Sequence, residues 1–342
     1  MRLIVTGGAG FIGSNFIRYI LEDRPDYSVI NFDALTYAGN LENLSRLDEN
    51  PRYQFVRGDV AAVDQVKILL QGGVDAIINF AAESHVDRSI MDANSFVKTN
   101  IIGTQVLLEA ARKIPGLRFI QISTDEVYGS LGVQGKFREN SPLAPNSPYA
   151  ASKASADLLA RAYHMTYGVD VIITRCCNNY GPHQFPEKLI PLMTLNAINN
   201  HKLPVYGDGL YSRDWVHVLD HSRAIVLILE KGQGGEIYNI GANHEETNLD
   251  LVHRILRILN KPKSLIDFVR DRPAHDRRYA VDASRLRDEL GWRPKVPFEQ
   301  GLRETIKWYK DHRSWIKNLK TGDYMYYYQK MYSDREKTLD DL

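Results

Sequence analysis

Disulfide scaffolding is the first thing this sequence excludes. It has only two cysteines, Cys176 and Cys177, and they are adjacent. No spaced framework and no CxxC metal site can be built from such a pair, and it reads as two small apolar residues at a strand end. An excess of one charge is also missing: 43 Lys and Arg face 42 Asp and Glu, for a net charge of +1. Nucleic-acid and membrane-surface proteins usually carry a strong basic excess, so neither kind of partner is expected. No apolar run approaches the ~20 residues that would cross a bilayer. The opening "MRLIVTG" enters a strand-like run directly, without the pattern of a signal peptide, so a cytoplasmic chain is expected. His85 stands apart, and His217 and His221 form one i,i+4 pair with no further ligand at metal spacing, so no metal site is expected.

What is present is a long chain with a sizeable core. Its 342 residues are 44% hydrophobic, enough for one large domain or two. "RLIVTGGAGFIGSNFIRYIL" reads as a buried strand, a glycine turn and an amphipathic helix, with Phe16, Ile17, Ile20 and Leu21 at helical spacing. Gly7, Gly10 and Gly13 have the spacing G-x-x-G-x-x-G. Such glycines allow a tight turn and let backbone N–H groups and a helix N-terminus approach a pyrophosphate. A second strand, "SVINFD", ends at Asp33, 20 residues after Gly13, where a carboxylate can bond ribose hydroxyls and would repel a 2′-phosphate. NAD is therefore expected in preference to NADP.

The alternation continues. "YQFVRGDV" is expected to be a strand ending at Asp59, and "VDAIINFAAES" a strand ending in the small residues Ala81 and Ala82. "TNIIGTQVLLEAARK" predicts a helix and "LRFIQIST" a fifth strand. Strands alternating with helices predict a parallel, doubly wound α/β sheet.

The fifth strand runs into "STDEVYG", and 25 residues after Thr124 comes Tyr149, four before Lys153. The segment around them has no internal Pro or Gly, so a helix is expected that puts both side chains on one face. An ammonium near a phenol favours the phenolate, which ordinarily forms only near pH ~10. With Thr124 holding a substrate oxygen, the set could take a proton from an alcohol while hydride leaves its carbon. Asp125 and Glu126 alone would read as a solvated acidic loop. Beside a nicotinamide they read as an acid and a base.

"TGGAGFIGS", Thr124 with Tyr149-x-x-x-Lys153, and "RCCNNYGP" together resemble the extended short-chain dehydrogenase/reductases. Within that superfamily the chain most resembles the dTDP-glucose 4,6-dehydratase family, through "FDALTYAGNLENL", "AAESHVDRSI", "STDEVYG", "NNYGPHQFPEKLIP", "SRDWVHVLDH" and "RPAHDRRYAVD". These motifs run to about residue 310. The acid pair discriminates, since the superfamily's sugar epimerases typically lack both acids and its decarboxylases keep only the glutamate.

The resemblance implies a Rossmann-like sheet with helices on both faces and a smaller mixed α/β C-terminal lobe for substrate. Residues 1–178 would form the NAD-binding part, with elements returning from about 214–240. Residues 179–320 would hold mainly the nucleotide-sugar, and 321–342 would be a tyrosine-rich, then polar, tail. It implies Tyr149 as oxidation base, Lys153 as its tuner, Thr124 as positioner, Asp125 as acid and Glu126 as base. It implies NAD contacts at Gly7, Gly10, Phe11, Ile12, Gly13, Asp33, Leu35, Thr36, Asp59, Val60, Phe80, Ala81, Ala82, Ser84, Thr99, Tyr149, Lys153 and Asn179. For the substrate, dTDP-glucose, it implies Ser84, Thr124, Asn178, Lys188, Leu189, Pro204, Tyr206, Arg213, Asn248, Arg272 and His275. Guanidinium forks at Arg213 and Arg272 suit diphosphate oxygens. A homodimer paired through two helices per chain is implied as well, and "TQVLLEAARK" and "ASADLLARAY" carry apolar stripes. The residues alone leave the nucleotide base (dTDP or UDP) and the C2 substituent open. From Asn178 a loop-rich cap is expected, and the final "DREKTLDDL" is expected to be mobile.

Overall fold

The computed structural model describes residues 1–319 and 322–340. Lys320 and Thr321, at the expected start of the tail, and Asp341 and Leu342, at its end, lie outside the described residues. The N-terminal half alternates as its hydrophobic pattern dictates. β1 (Arg2–Thr6) leads through the glycine turn into α1 (Phe11–Asp23), followed by β2 (Ser28–Asp33), β3 (Tyr53–Arg57), α2 (Val63–Leu70) and β4 (Ala76–Asn79). Then come α3 (Val86–Met91), α4 (Ala93–Phe96), α5 (Thr104–Ala111), β5 (Arg118–Thr124), α6 (Pro148–Tyr167) and β6 (Asp170–Cys176). The C-terminal half begins with β7 (Asn178–Tyr180), α7 (Leu189–Ile198), β8 (Leu203–Tyr206), β9 (Ser212–His217), α8 (Val218–Lys231) and β10 (Ile237–Ile240). It continues with β11 (Glu245–Thr247), α9 (Asn248–Leu259), β12 (Ile266–Val269), α10 (Ser284–Leu290), α11 (Phe298–Asp311), α12 (Arg313–Leu319), α13 (Gly322–Tyr328) and α14 (Arg335–Asp340).

Seven strands form one parallel sheet in the order β10-β6-β5-β4-β1-β2-β3. The order reverses between β1 and β4, and ligands of open α/β sheets bind in the crevice at the carboxyl ends beside such a switch point. Successive strand residues face opposite sides. Leu3 and Val5 therefore pack with Phe16, Ile17 and Ile20 of α1 and Ile225 and Ile228 of α8. Ile4 faces the other layer, with Val106, Leu107 and Ala160. Residues 218–240 thus join the N-terminal sheet: α8 lies on α1 and β10 pairs with β6. A three-stranded sheet, β11-β9-β7, and the pair β12-β8 belong to the second lobe, whose core includes Trp215, Leu251, Ile255 and Leu302.

Local chemistry fixes the helix that carries the Tyr149/Lys153 pair. Ser147 caps α6 by accepting from the N–H of Ala150 at 3.1 Å, Pro148 occupies its first position, and Gly168 ends it in the left-handed conformation at φ 69°. Beneath it, Arg175 of β6 donates to Asp157 of α6 at 2.9 Å and to the Tyr128 hydroxyl at 3.0 Å.

Four details differ from expectation. β3 stops at Arg57, because Asp59 turns the chain by accepting from the N–H of Ala61 at 2.9 Å. The helix expected from Thr99 begins inside a π-helical stretch, Val97–Gly103, before α5. The expected loop-rich cap contains α7, which is buried along most of its length. "LIPLMTLNAI" is apolar on all sides and so shows no amphipathic period, and Pro191 sits in the first turn, where its missing N–H costs nothing. Within the polar end a helix forms: α14 carries Arg335, 3% exposed, which donates to the carbonyls of Arg270 and Met331 at 2.7 and 3.2 Å.

Removing one partner of a buried ion pair leaves an uncompensated charge. Arg175→Met should therefore lower the unfolding free energy by about 3–5 kcal/mol, measured by urea denaturation. An unchanged midpoint would show that Asp157 finds another partner.

Candidate active site

A cavity of ≈ 450 Å³ runs along the carboxyl ends of the sheet. At one end is the glycine turn. Gly7 has φ +68°, and a Cβ there would lie 2.6 Å from the backbone nitrogen of Ala81. A Cβ on Gly13 would lie 2.4 Å from the Gly7 carbonyl oxygen. The turn therefore fits against β4 and α1 only as glycine. Gly10 offers no side-chain cap to α1, so the first N–H groups of that helix are free to bind an anion. Asp33 closes β2 and accepts from the N–H groups of Ala9 and Leu35 at 2.9 and 2.7 Å. Burial pushes its carboxyl up, and those two N–H groups offset part of the shift.

The sheet gathers most of the expected cofactor contacts here. Gly7, Gly10, Phe11, Ile12, Gly13, Asp33, Thr36, Asp59, Val60, Phe80, Ala81, Ala82, Ser84, Thr99, Tyr149, Lys153 and Asn179 all line the cavity. Leu35 does not; it turns the chain at φ 54°. Asn179 leaves its Oδ1 buried with no protein partner among the described residues. A glycine cradle, an uncapped helix end, a strand-end carboxylate and an orphaned amide oxygen together fit a dinucleotide.

Across the cavity lie the reactive side chains. Thr124 ends β5, and its hydroxyl accepts from the N–H of Glu126 at 3.2 Å, starting the short 3-10 turn Asp125–Tyr128. That turn buries Asp125 at 1% exposure beside Tyr149, Lys153 and Cys176. Asp125 Oδ2 has no partner among the described residues. Burial, and then the neighbouring Glu126 carboxylate, push the Asp125 carboxyl well above its ordinary range. The Tyr149 phenol is also pushed well up, by burial first and by Glu126 second.

Lys153 is arranged differently from the expected tuning contact. Its Nζ donates to the carbonyl of Ile122 at 2.6 Å and makes no hydrogen bond to Tyr149. The strand-end carbonyl lies within its reach and satisfies the ammonium there. Burial lowers the Lys153 pKa, and the Asp157 carboxylate pulls it back. The cysteines are both buried, and burial pushes the Cys176 thiol up to about 12.

The expected substrate contacts divide into two groups. Ser84, Thr124, Asn178 and Lys188 line the cavity with the reactive pair. Lys188 donates to the Ser84 carbonyl at 2.7 Å. Leu189, Pro204, Tyr206, Arg213, Asn248, Arg272 and His275 lie outside that lining. Leu189 opens α7, Pro204 and Tyr206 sit on β8, and Asn248 opens α9. Arg213 donates to the carbonyls of Ser212 and Asp276 at 2.8 and 2.9 Å and lies 4.4 Å from the Tyr279 ring centre. Arg272 pairs with Asp87 at 3.0 Å, and its Nε has no partner among the described residues. His275 bonds Asp271 at 2.7 Å and stacks on Tyr211. The basic run divides accordingly: Arg277 and Arg278 pair near the surface with Asp208 and Glu245, and Arg272 turns inward. Glu83, Phe185 and Glu187 also line the cavity and were missed from sequence. The one available signal was the position of Glu187 beside Lys188 in "FPEKLIP".

The described residues contain no cluster of three or more potential metal ligands, and no described helix is long and apolar enough to cross a membrane.

Comparison with known proteins agrees with this geometry. The family model for GDP-mannose 4,6 dehydratase matches residues 4–305. A dTDP-glucose 4,6-dehydratase of Streptomyces niveus is 53% identical over 327 residues, covering 94% of this chain and 97% of that protein. The crystal structure of DesIV, a dTDP-glucose 4,6-dehydratase of Streptomyces venezuelae with NAD and TDP bound, superposes with a TM-score of 0.91 at 53% identity, covering 94% of this chain and all of that one. A UDP-glucuronic acid 4-epimerase of Bacillus cereus, in complex with UDP-glucuronic acid and NAD, reaches a TM-score of 0.86 at 31% identity, covering 91% of this chain and 99% of that one. At such identity, over nearly its whole length, the chain belongs to the dTDP-glucose 4,6-dehydratase family.

Proposed function

We propose that this protein is an NAD-dependent hydro-lyase that converts dTDP-glucose to dTDP-4-keto-6-deoxy-glucose. The observation that carries the reading is the juxtaposition, in one cavity, of Tyr149, Glu126 and a buried Asp125 whose carboxyl is pushed well up. The named activity of relatives 46–53% identical supports it. The glycine turn, the start of α1 and Asp33 would hold NAD, which when bound supplies the hydride acceptor for C4 and the donor for C6.

The chain's own residues then divide the proton chemistry. Tyr149 accepts the proton of the C4 hydroxyl as that carbon is oxidised, with Thr124 holding the oxygen. Burial and Glu126 both oppose phenolate formation, so positive charge must compensate, and the Lys153 ammonium one helical turn away is the chain's own source. The C4 ketone acidifies the hydrogen on C5, and Glu126 removes it. Asp125 donates a proton to the C6 hydroxyl, which departs as water. After reduction at C6, Glu126 returns its proton to C5. One carboxyl must begin protonated and the other ionised, and burial beside a second carboxylate pushes the Asp125 carboxyl up, as the acid role requires.

The substrate lobe supports the nucleotide assignment through Arg213, Arg272, Tyr206 and Asn248. Exposed apolar side chains on α6, Leu158, Met165 and Tyr167, with Val97 and Ile102 on the neighbouring π-helical stretch, support a homodimer formed through these helices. A cytoplasmic location fits the reading.

Incubating purified protein and NAD with dTDP-glucose and UDP-glucose in parallel, followed by NMR, tests the reaction. A 4-keto-6-deoxy product from dTDP-glucose is expected, and an epimerised sugar or no conversion would overturn the assignment. Asp125→Asn and Glu126→Gln should retain C4 oxidation, read as near-ultraviolet absorbance of the bound cofactor, while dehydrated product forms about 10²–10⁴-fold more slowly. Full turnover in both would remove their roles. Asp125 also makes a stability prediction. Its carboxyl ionises near 3.8 in the unfolded chain and well above that in the fold. The folded state binds this proton more tightly, so the contribution is fully present below 3.8 and is lost as pH rises through the folded value. Asp125→Asn cannot titrate. Its thermal midpoint should therefore rise relative to wild type from the ordinary carboxylate range toward neutrality, and parallel midpoint curves would contradict this.

A further inference from the structure

The motif "AAESHVDRSI" contributes Ser84 to the expected contacts, and the mechanism above leaves its next residues unused. His85, Asp87 and Arg88, at the start of α3, each reach a different part of the molecule. The Asp87 carboxylate is 3% exposed. Its Oδ1 accepts from Arg272 at 3.0 Å and its Oδ2 from the Tyr206 hydroxyl at 2.8 Å. Burial opposes its charge, yet Arg272 holds the carboxyl well below the usual range. Arg88 donates to Glu187 Oε2 at 2.9 Å, and its guanidinium lies 3.9 Å from the Tyr37 ring centre and 4.0 Å from that of Tyr327. Tyr37, on the loop that follows β2, donates to Glu187 Oε1 at 2.9 Å. His85 Nε2 meets the Tyr327 hydroxyl at 2.7 Å.

The C-terminal segment closes this arrangement from outside. Tyr327 belongs to α13. Arg335 of α14 lies with its guanidinium 3.9 Å from the Tyr206 ring centre. His85, Asp87 and Arg88 do not themselves line the cavity, so they act through other residues. Two of those residues, Tyr206 and Arg272, are the nucleotide-side contacts, and the third, Glu187, stands in the cavity beside Lys188.

We propose that His85, Asp87 and Arg88 form a positioning hub that presets Tyr206, Arg272 and Glu187 for a nucleoside-diphosphate sugar. In it Tyr327 and Arg335 of the C-terminal segment act as the outer clamp. The proposal rests on the nucleotide-sugar reading of the site. Its physical content is preorganisation: long side chains already bonded in their binding geometry lose less freedom when the ligand arrives. The hub also joins both ends of the substrate site to one short helix.

The test uses the full-length protein with dTDP as the probe. Asp87→Asn keeps the shape and removes the charge opposite Arg272. It should weaken dTDP binding by calorimetry about tenfold or more, raise KM for dTDP-glucose to match, and leave kcat and NAD affinity close to wild type. Tyr327→Phe loses only the bond to His85 and should weaken dTDP about two- to tenfold. The double variant should lose less than the product of the two effects, since both act through one network. A merely structural role would instead lower NAD affinity, kcat and thermal midpoint together. Wild-type dTDP affinity in both folded variants would overturn the hub, and if Asp87→Asn does not fold, Tyr327→Phe decides alone. A wild type that binds dTDP but fails to dehydrate dTDP-glucose would overturn the reaction assignment and leave the hub standing. A wild type that does not bind dTDP would overturn both.

Discussion

The site depends on one buried carboxylate that takes no part in the proposed chemistry. Asp157, on α6, lies between two interior cations: it accepts from Arg175 at 2.9 Å and its charge acts on Lys153. Without it, burial would drive Lys153 toward its neutral form. The Asp157 carboxylate opposes that shift, and α6 is tied to β6 by a pair with both side chains almost wholly enclosed. Burying ions is costly. Here the buried carboxylate favours positive charge on Lys153, one helical turn from the proposed phenolate.

Asp125 is the opposite case. It is as enclosed as Asp157 but has no cationic partner among the described residues: it accepts from the Thr124 hydroxyl at 3.3 Å, and Glu126, of the same sign, adds to the upward push of burial. The two aspartates are chemically identical and differ only in surroundings: burial pushes both carboxyls up, but Arg175 pulls Asp157 back while Glu126 pushes Asp125 further. A carboxyl pushed up in this way suits the proposed role of acid for a hydroxyl leaving group.

The fold was legible in the sequence because its determinants are local. Gly7, Gly10, Gly13, Asp33 and the alternating apolar runs each act within a few residues of themselves, and together they specify the switch point and its cradle. The Tyr149/Lys153 helix was equally legible, since its segment has no internal Pro or Gly to break it, and the structure adds the caps at Ser147 and Gly168. Harder to see was everything settled by distant partners. Lys153 is four residues from Tyr149 on one face, yet its proton goes to Ile122, a residue on another element. The helix α7 hid because a segment buried on all sides has no amphipathic period. The polar tail looked soluble and mobile, but Arg335 is enclosed by Tyr206 and by carbonyls more than sixty residues apart in sequence. Charge alone does not say whether an arginine faces water or a tyrosine ring.

The same sheet, cradle and Tyr149/Lys153 geometry are compatible with more than one reaction, as the superposition on a 4-epimerase at a TM-score of 0.86 illustrates. Oxidation at C4 by itself leads back to a C4 alcohol of either configuration. What commits the ketone to elimination is a base for C5 and a proton for the C6 oxygen, both present before the hydride returns. In the proposed reaction the short turn after Thr124 would supply both, from adjacent positions. The Thr124 hydroxyl accepts from the Glu126 N–H and so caps the turn whose first residue, Asp125, is buried. That enclosure pushes the Asp125 carboxyl up, and in the proposed reaction it favours the form that still carries a proton when the C6 hydroxyl must leave.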